Sequence, residues 1–172
     1  MSSEWSLVLE KTIWFGCAGV GFAVLFNVPR RTLFPIFIMA ALGGLTKVAL
    51  VQVQINVIIA SLMGSTLIGF MSIGFAHNKH APPPVFAIPS VIPMVPGIFA
   101  FRVMLGLITL AGDMDKAVSA QVLTETIHNG LKVMFLLMTL AAGVGLPMLI
   151  TRKDSAKDIR FRKNDKYSDE SV

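Results

Sequence analysis

The stretch VFAIPSVIPMVPGIFAFRVMLGLITLA, Val85 to Ala111, decides how this chain is read. Its 27 residues are apolar enough to cross a bilayer. Wholly helical, they would run about 40 Å, more than a hydrocarbon core of about 30 Å requires. Yet Pro89, Pro93, Pro96 and Gly97 fall near the middle, and Arg102 follows five residues later. Proline has no N–H, so Pro93 frees the carbonyl of Pro89 and Pro96 frees that of Ile92. Gly97 lets the chain bend and lets another group approach. A helix restarting near Gly97 presents unpaired N–H groups at its positive dipole end. At membrane depth such a break persists only where protein or a water-filled cavity satisfies the backbone. Discontinuous helices build small-solute sites in this way, with N–H groups facing a carboxylate and freed carbonyls facing a cation. The same residues also permit a plainer reading, a kinked span, because proline is common in membrane helices. Arg102 is open in the same way: an intramembrane arginine marks a functional site by default, but one nearer a span's end can snorkel to the surface.

The rest of the chain agrees with a membrane setting. Of 172 residues 54% are hydrophobic, and the mean hydropathy is +0.71. A soluble domain cannot hide that much apolar surface, so the expected fold is an all-α integral membrane protein of about five spans, the fourth broken. The net charge of +5 does not point to nucleic acid, since seven of the fifteen Lys and Arg lie in the final 22 residues. Such a basic end is where a membrane protein keeps its cytosolic tail. Cys17 is the single cysteine, which excludes a disulfide framework and a cysteine-based metal site. Glu4 and Glu10 stand where a cleaved signal peptide would be basic, so none is expected.

Taken in order, spans are expected over about 5–28, 32–50, 55–76, 85–111 and 130–150 within a membrane domain 1–152. Trp5 and Trp14 suit interfacial anchoring, and Gly16, Gly19 and Gly21 offer small surfaces for close helix packing. Asn27, Pro29, Arg30 and Arg31 form a tight polar turn. Ala40 and Gly44, then Ser61, Ser65 and Gly69, make further small-residue seams, and Ala141 and Gly145 do so in the last span. Lys47, near the far end of the second span, is read as snorkelling. His77 and His80 have metal-pair spacing but no third ligand nearby in sequence, so no metal is expected. In the amphipathic helix expected over about 116–129 and just past it, Gln121, Glu125, His128, Asn129 and Lys132 share one face. That face reads as the polar wall of a vestibule or as an amphipathic helix among headgroups. From 153 to 172 the chain is charged, without apolar periodicity, and reads as a flexible cytosolic tail. Five spans put the termini on opposite sides. Arg30, Arg31, Lys79 and the tail give one side ten Lys and Arg, so the N-terminus is expected outside and the C-terminus in the cytosol.

Two stretches, GFAVLFNVP at Gly21 to Pro29 and VIPMVPG at Val91 to Gly97, with Asn129 ahead of the last span, resemble the threonine/serine exporter family. The likeness covers residues 5 to about 153 and is nearest the family's small-subunit, YjjB-like branch. It implies a bacterial inner-membrane protein that exports threonine and serine, or dicarboxylates such as succinate, beside a larger membrane subunit or in a homo-oligomer. It carries over Asn27, Pro29, Pro93, Pro96, Gly97 and Asn129. On this reading the Pro93–Gly97 break supplies backbone groups to the substrate carboxylate, Arg102 adds positive charge, and Asn27 and Asn129 add hydrogen bonds. No P-loop is present, so no nucleotide or other cofactor is expected and a proton gradient supplies the energy. His128 and Glu125 are the candidate proton carriers. The rival reading is a non-transporting subunit that stabilises a membrane complex. An enzyme is not expected, because no nucleophile–base pair stands out.

Overall fold

The computed structural model describes residues 2–79, 81–112 and 116–151, with side chains placed from Val8 and, in the last helix, from Ser119. The charged tail, His80, Asp113, Asp115 and the side chain of Trp5 lie outside the described residues. Among the described residues six α-helices follow one another: α1 (Ser2–Leu25), α2 (Leu33–Gln52), α3 (Val57–Lys79), α4 (Pro83–Val91), α5 (Gly97–Ala111) and α6 (Lys116–Thr151). Among the described residues there is no strand. α1, α2, α3 and α6 are each long and apolar enough to cross a membrane. α4 and α5, bent by 59° across their break, are long and apolar enough as a pair to be a broken fifth span or a re-entrant loop.

Local chemistry sets the ends. Asn27 takes a positive φ of 54°, its N–H bonding Val24 and that of Val28 bonding Ala23, both at 3.0 Å. This is the left-handed cap that closes a helix and satisfies its last carbonyls. Gln54, at φ 64°, ends α2 in the same way, with Ile55 bonded back to Leu50 at 3.1 Å. Asn56 then starts α3, its Oδ1 accepting the Ile58 N–H at 2.9 Å. The expected amphipathic segment at 116–129 and the expected span at 130–150 form one uninterrupted helix of 36 residues.

Small residues set the packing. Without a hydrophobic drive between helices in lipid, close backbone approach decides which faces meet. Gly19 lies against Ala40, and Gly44 against the Phe15 ring, so α1 and α2 are antiparallel. Gly43 meets Gly64 and Ile68 of α3. Ser65 faces Thr139 and Gly143, and Gly69 faces Gly143 and Pro147. The last helix therefore packs through Gly143 and Pro147, while Gly145, expected in that role, has nothing near it.

Residue numbers rise together along α3 and α6 at these contacts, so the two run parallel. The chain between them must return across the bilayer, which makes α4–α5 a crossing rather than a re-entrant loop. The core gathers around Ile36, Met39, Ile68, Phe86, Met94 and Leu140. α5 stands apart. It buries no residue and packs mainly on the first half of α6, Gly106 against Thr126 and Val103 against Gly130.

Candidate functional site

The break between α4 and α5 is made by prolines. α4 ends at Val91 and tightens into a 3-10 turn over Ile92–Met94. Val95 is extended, and Pro96 has φ −79° and ψ 65°. There the Gly97 N–H turns back to the Val95 carbonyl at 2.9 Å, an inverse γ-turn. The carbonyl that Pro96 frees, on Ile92, is taken by the Val95 N–H at 3.0 Å. The carbonyl that Pro93 frees, on Pro89, lies beside Gly19 of α1.

Met94 is the consequential position. Its carbonyl would accept from residue 98 in a continuing helix, but the turn carries the chain away. Lys47 takes it instead, its Nζ donating at 2.8 Å. Lys47 thus does not run to the surface, as snorkelling would have it. It sits one turn beyond the Gly43 contact with α3, and that crossing brings its stem in over the break. Its signal in sequence was a lysine inside an apolar run, one turn after a Gly-Gly pair. The partner, 47 residues away, could not be read locally.

Other groups border the break. No side chain caps α5, whose first helical bond runs from the Ala100 N–H to the Pro96 carbonyl at 3.2 Å. Lys132 Nζ of α6 lies 5.5 Å from the centre of the Phe99 ring. A cavity of about 290 Å³ lined by Lys11, Trp14, Phe15 and Ala18 reaches the break at Pro93. On α3, Ser61 is fully buried, and its Oγ has no hydrogen-bond partner. At 100° per residue it points between Gly64, which faces the Met94 side chain, and Ser65, which faces α6.

The residues singled out in the sequence fall in three places. Pro93, Pro96 and Gly97 share the break. Gly97 has no positive φ and nothing within 4 Å of where a side chain would begin. The prolines alone therefore account for the bend, and the glycine leaves open space at the start of α5. Arg102 is exposed on α5, about a quarter-turn from the side that meets α6. Asn129 is half-buried on α6 beside Gly130, with His128 and Glu125 exposed nearby. Glu125 Oε1 accepts from Gln121 Nε2 at 3.4 Å.

Asn27 is exposed at the end of α1, next to a cavity lined by Phe26, Val28, Pro84, Val85, Ile88 and Pro89. That places it at the opposite end of α4 from the break. His77 lines a separate cavity of about 610 Å³ with Pro82, Pro83, Pro84, Met148 and Thr151. Among the described residues no group of three or more His, Cys, Asp or Glu is placed to hold a metal.

Comparison with known proteins gives a family and little more. The family model described as "Threonine/Serine exporter, ThrE" matches residues 11–150. An uncharacterized protein of Haemophilus influenzae (strain ATCC 51907 / DSM 11121 / KW20 / Rd) is 30% identical over 144 residues, 83% of this chain and 47% of that protein. The chain therefore spans about half the length of this curated relative. No solved structure matches.

Proposed function

This chain belongs to the threonine/serine exporter family, and on that premise we propose that it is a membrane subunit of a secondary exporter of small hydroxy-amino acids or dicarboxylates. The observation that carries the proposal is the broken span with a lysine seated in it, Lys47 on the Met94 carbonyl at 2.8 Å. A buried backbone carbonyl deprived of its helical donor needs another donor, and a charged one at depth is a costly choice that a purely structural span has no need to make. The uncapped start of α5 offers N–H groups toward a carboxylate. Arg102 and Lys132 add positive charge along α5 and α6. Asn129 is the nearest candidate for a further hydrogen bond from α6, while Asn27 acts at the far end of α4, where its cap shapes the approach. His128 or Glu125 carries the coupling proton.

The basic residues Arg30, Arg31 and Lys79 support reading their end of the bundle as cytosolic, with the N-terminus outside in a bacterial inner membrane. That the chain matches 47% of its relative's length supports a reading in which a larger subunit supplies the rest of the transport unit. A second reading, an interaction subunit with no site of its own, is favoured by one observation: α5 buries none of its residues within the chain.

Efflux of labelled serine, threonine and succinate from proteoliposomes tests the proposal, with the chain alone and with the larger subunit co-expressed. Transport in either preparation supports the exporter reading, and transport only in the pair makes the site shared. Transport in neither, with the complex assembled, favours the interaction subunit.

A further inference from the structure

We infer that Lys47 is the exchange residue of the broken span. Before substrate arrives, its ammonium occupies the Met94 carbonyl. A zwitterionic amino acid binds by placing its own ammonium on that carbonyl while Lys47 swings to the carboxylate. The inference rests on the transport reading above and assigns one residue, Lys47, to the recognition of a molecule carrying both charges.

The argument is one of donors and acceptors. Met94 is 1% exposed, so its carbonyl must keep a donor. Ammonium for ammonium is a like exchange that leaves the carbonyl satisfied throughout. Lysine suits the task because its charge rides on a flexible four-carbon stem with three rotatable donors. Once displaced, its charge needs a partner at depth, and the carboxylate of the same incoming molecule supplies it. A zwitterion adds no net charge to the site. A dicarboxylate would draw Lys47 away and bring no donor for Met94, leaving a buried acceptor unpaired.

An open, mostly apolar groove of about 290 Å³ touches the break at Pro93; it is just below the usual size of a ligand pocket, and its lining of Lys11, Trp14, Phe15, Ala18 and Pro93 does not include Met94 or Lys47. The buried Ser61 Oγ has no partner, and Gly64, three residues on, faces the Met94 side chain. The uncapped α5 N-terminus, two residues beyond Val95, faces the same break.

The test compares serine with ethanolamine, which is serine without its carboxylate, in proteoliposomes holding the full chain and its larger partner. Wild type should prefer serine. Lys47→Met should cut that preference roughly 10- to 100-fold, the worth of one hydrogen bond to a charged group, and Lys47→Arg should keep most of it. A lysine that only braces the break would lower both rates by one factor and leave their ratio unchanged. If Lys47→Met fails to fold, Lys47→Gln carries the same comparison, because it keeps an N–H donor for Met94 and loses the charge. An unchanged ratio in the folded variant overturns the inference while the exporter reading stands, as does a wild type that carries succinate in preference to serine. A wild type that moves none of serine, threonine and succinate removes the exporter reading and the inference together.

Discussion

Helix α3 buries Ser61, Gly64, Ser65, Ile68 and Gly69 along one side, whereas α5, just as apolar to the eye, buries none of its fifteen residues. Hydrophobicity does not separate the two, since in a bilayer both greasy faces have lipid as an acceptable neighbour. Backbone approach does. α3 carries small residues at three- and four-residue spacing, so α2 and α6 come close on either side of it. On its α6 side α5 has only Ala100 and Gly106 as small residues, flanking Val103, and elsewhere it presents Ile98, Phe101, Met104 and Ile108 outward. The packed block fixes geometry by itself. The arm takes its outer contacts from what surrounds the chain.

The largest expected effect breaks the packed side of this comparison. A Cβ on Gly64 would stand 2.7 Å from the Gly43 carbonyl oxygen, a backbone atom that cannot turn aside. Gly64→Val should therefore spread α2 from α3, costing about 1–3 kcal/mol or more and lifting Lys47 off Met94. Thermal unfolding in detergent checks it. A variant as stable as wild type would mean the α2–α3 crossing is looser than described.

How much of this was legible in the sequence follows from the range of each interaction. Spans could be read because hydropathy is local, and the break could be read because a missing N–H at Pro93 and Pro96 is a property of single residues. The seams at Gly16, Gly19, Ala40 and Gly44 could be read from spacing. Gly143 and Gly145 could not be told apart, since only the position of α3 decides which one is used. The union of 116–129 with 130–150 was hidden by Gly130, which looks like a boundary but lies against Val103 inside a continuous helix. Lys47 was placed in the wrong surroundings because its acceptor comes from a different helix, 47 residues on. For the candidate site, the sequence supplied the break and its three residues, and the fold supplied the cation.

A middle-sized contrast sharpens the comparison from both sides at once. Leu140, 4% exposed in the core, should cost about 2–5 kcal/mol as Leu140→Ala. Ile98, 71% exposed on α5, should cost less than about 0.5 kcal/mol as Ile98→Ala in the isolated chain. The second figure should rise in the presence of the proposed larger subunit if the arm docks there, and stay flat if lipid alone covers it. Unfolding curves of the chain with and without that proposed partner read both.

The smallest stability effect is expected at Gly97, and it is the most informative of the set. The prolines make the bend, so the glycine is not required by backbone conformation: its φ is not positive, and nothing lies within 4 Å of a new Cβ. Gly97→Ala should leave stability within about 0.5 kcal/mol of wild type. If a carboxylate comes up to the N–H groups that open α5, however, the added methyl stands in its path, and efflux should fall several-fold in a fully folded protein. Gly64→Val would lose transport by spreading α2 from α3; Gly97→Ala would lose it with the packing intact. Undiminished efflux from Gly97→Ala would move the substrate away from the start of α5 and leave the break with Lys47 and Met94 alone.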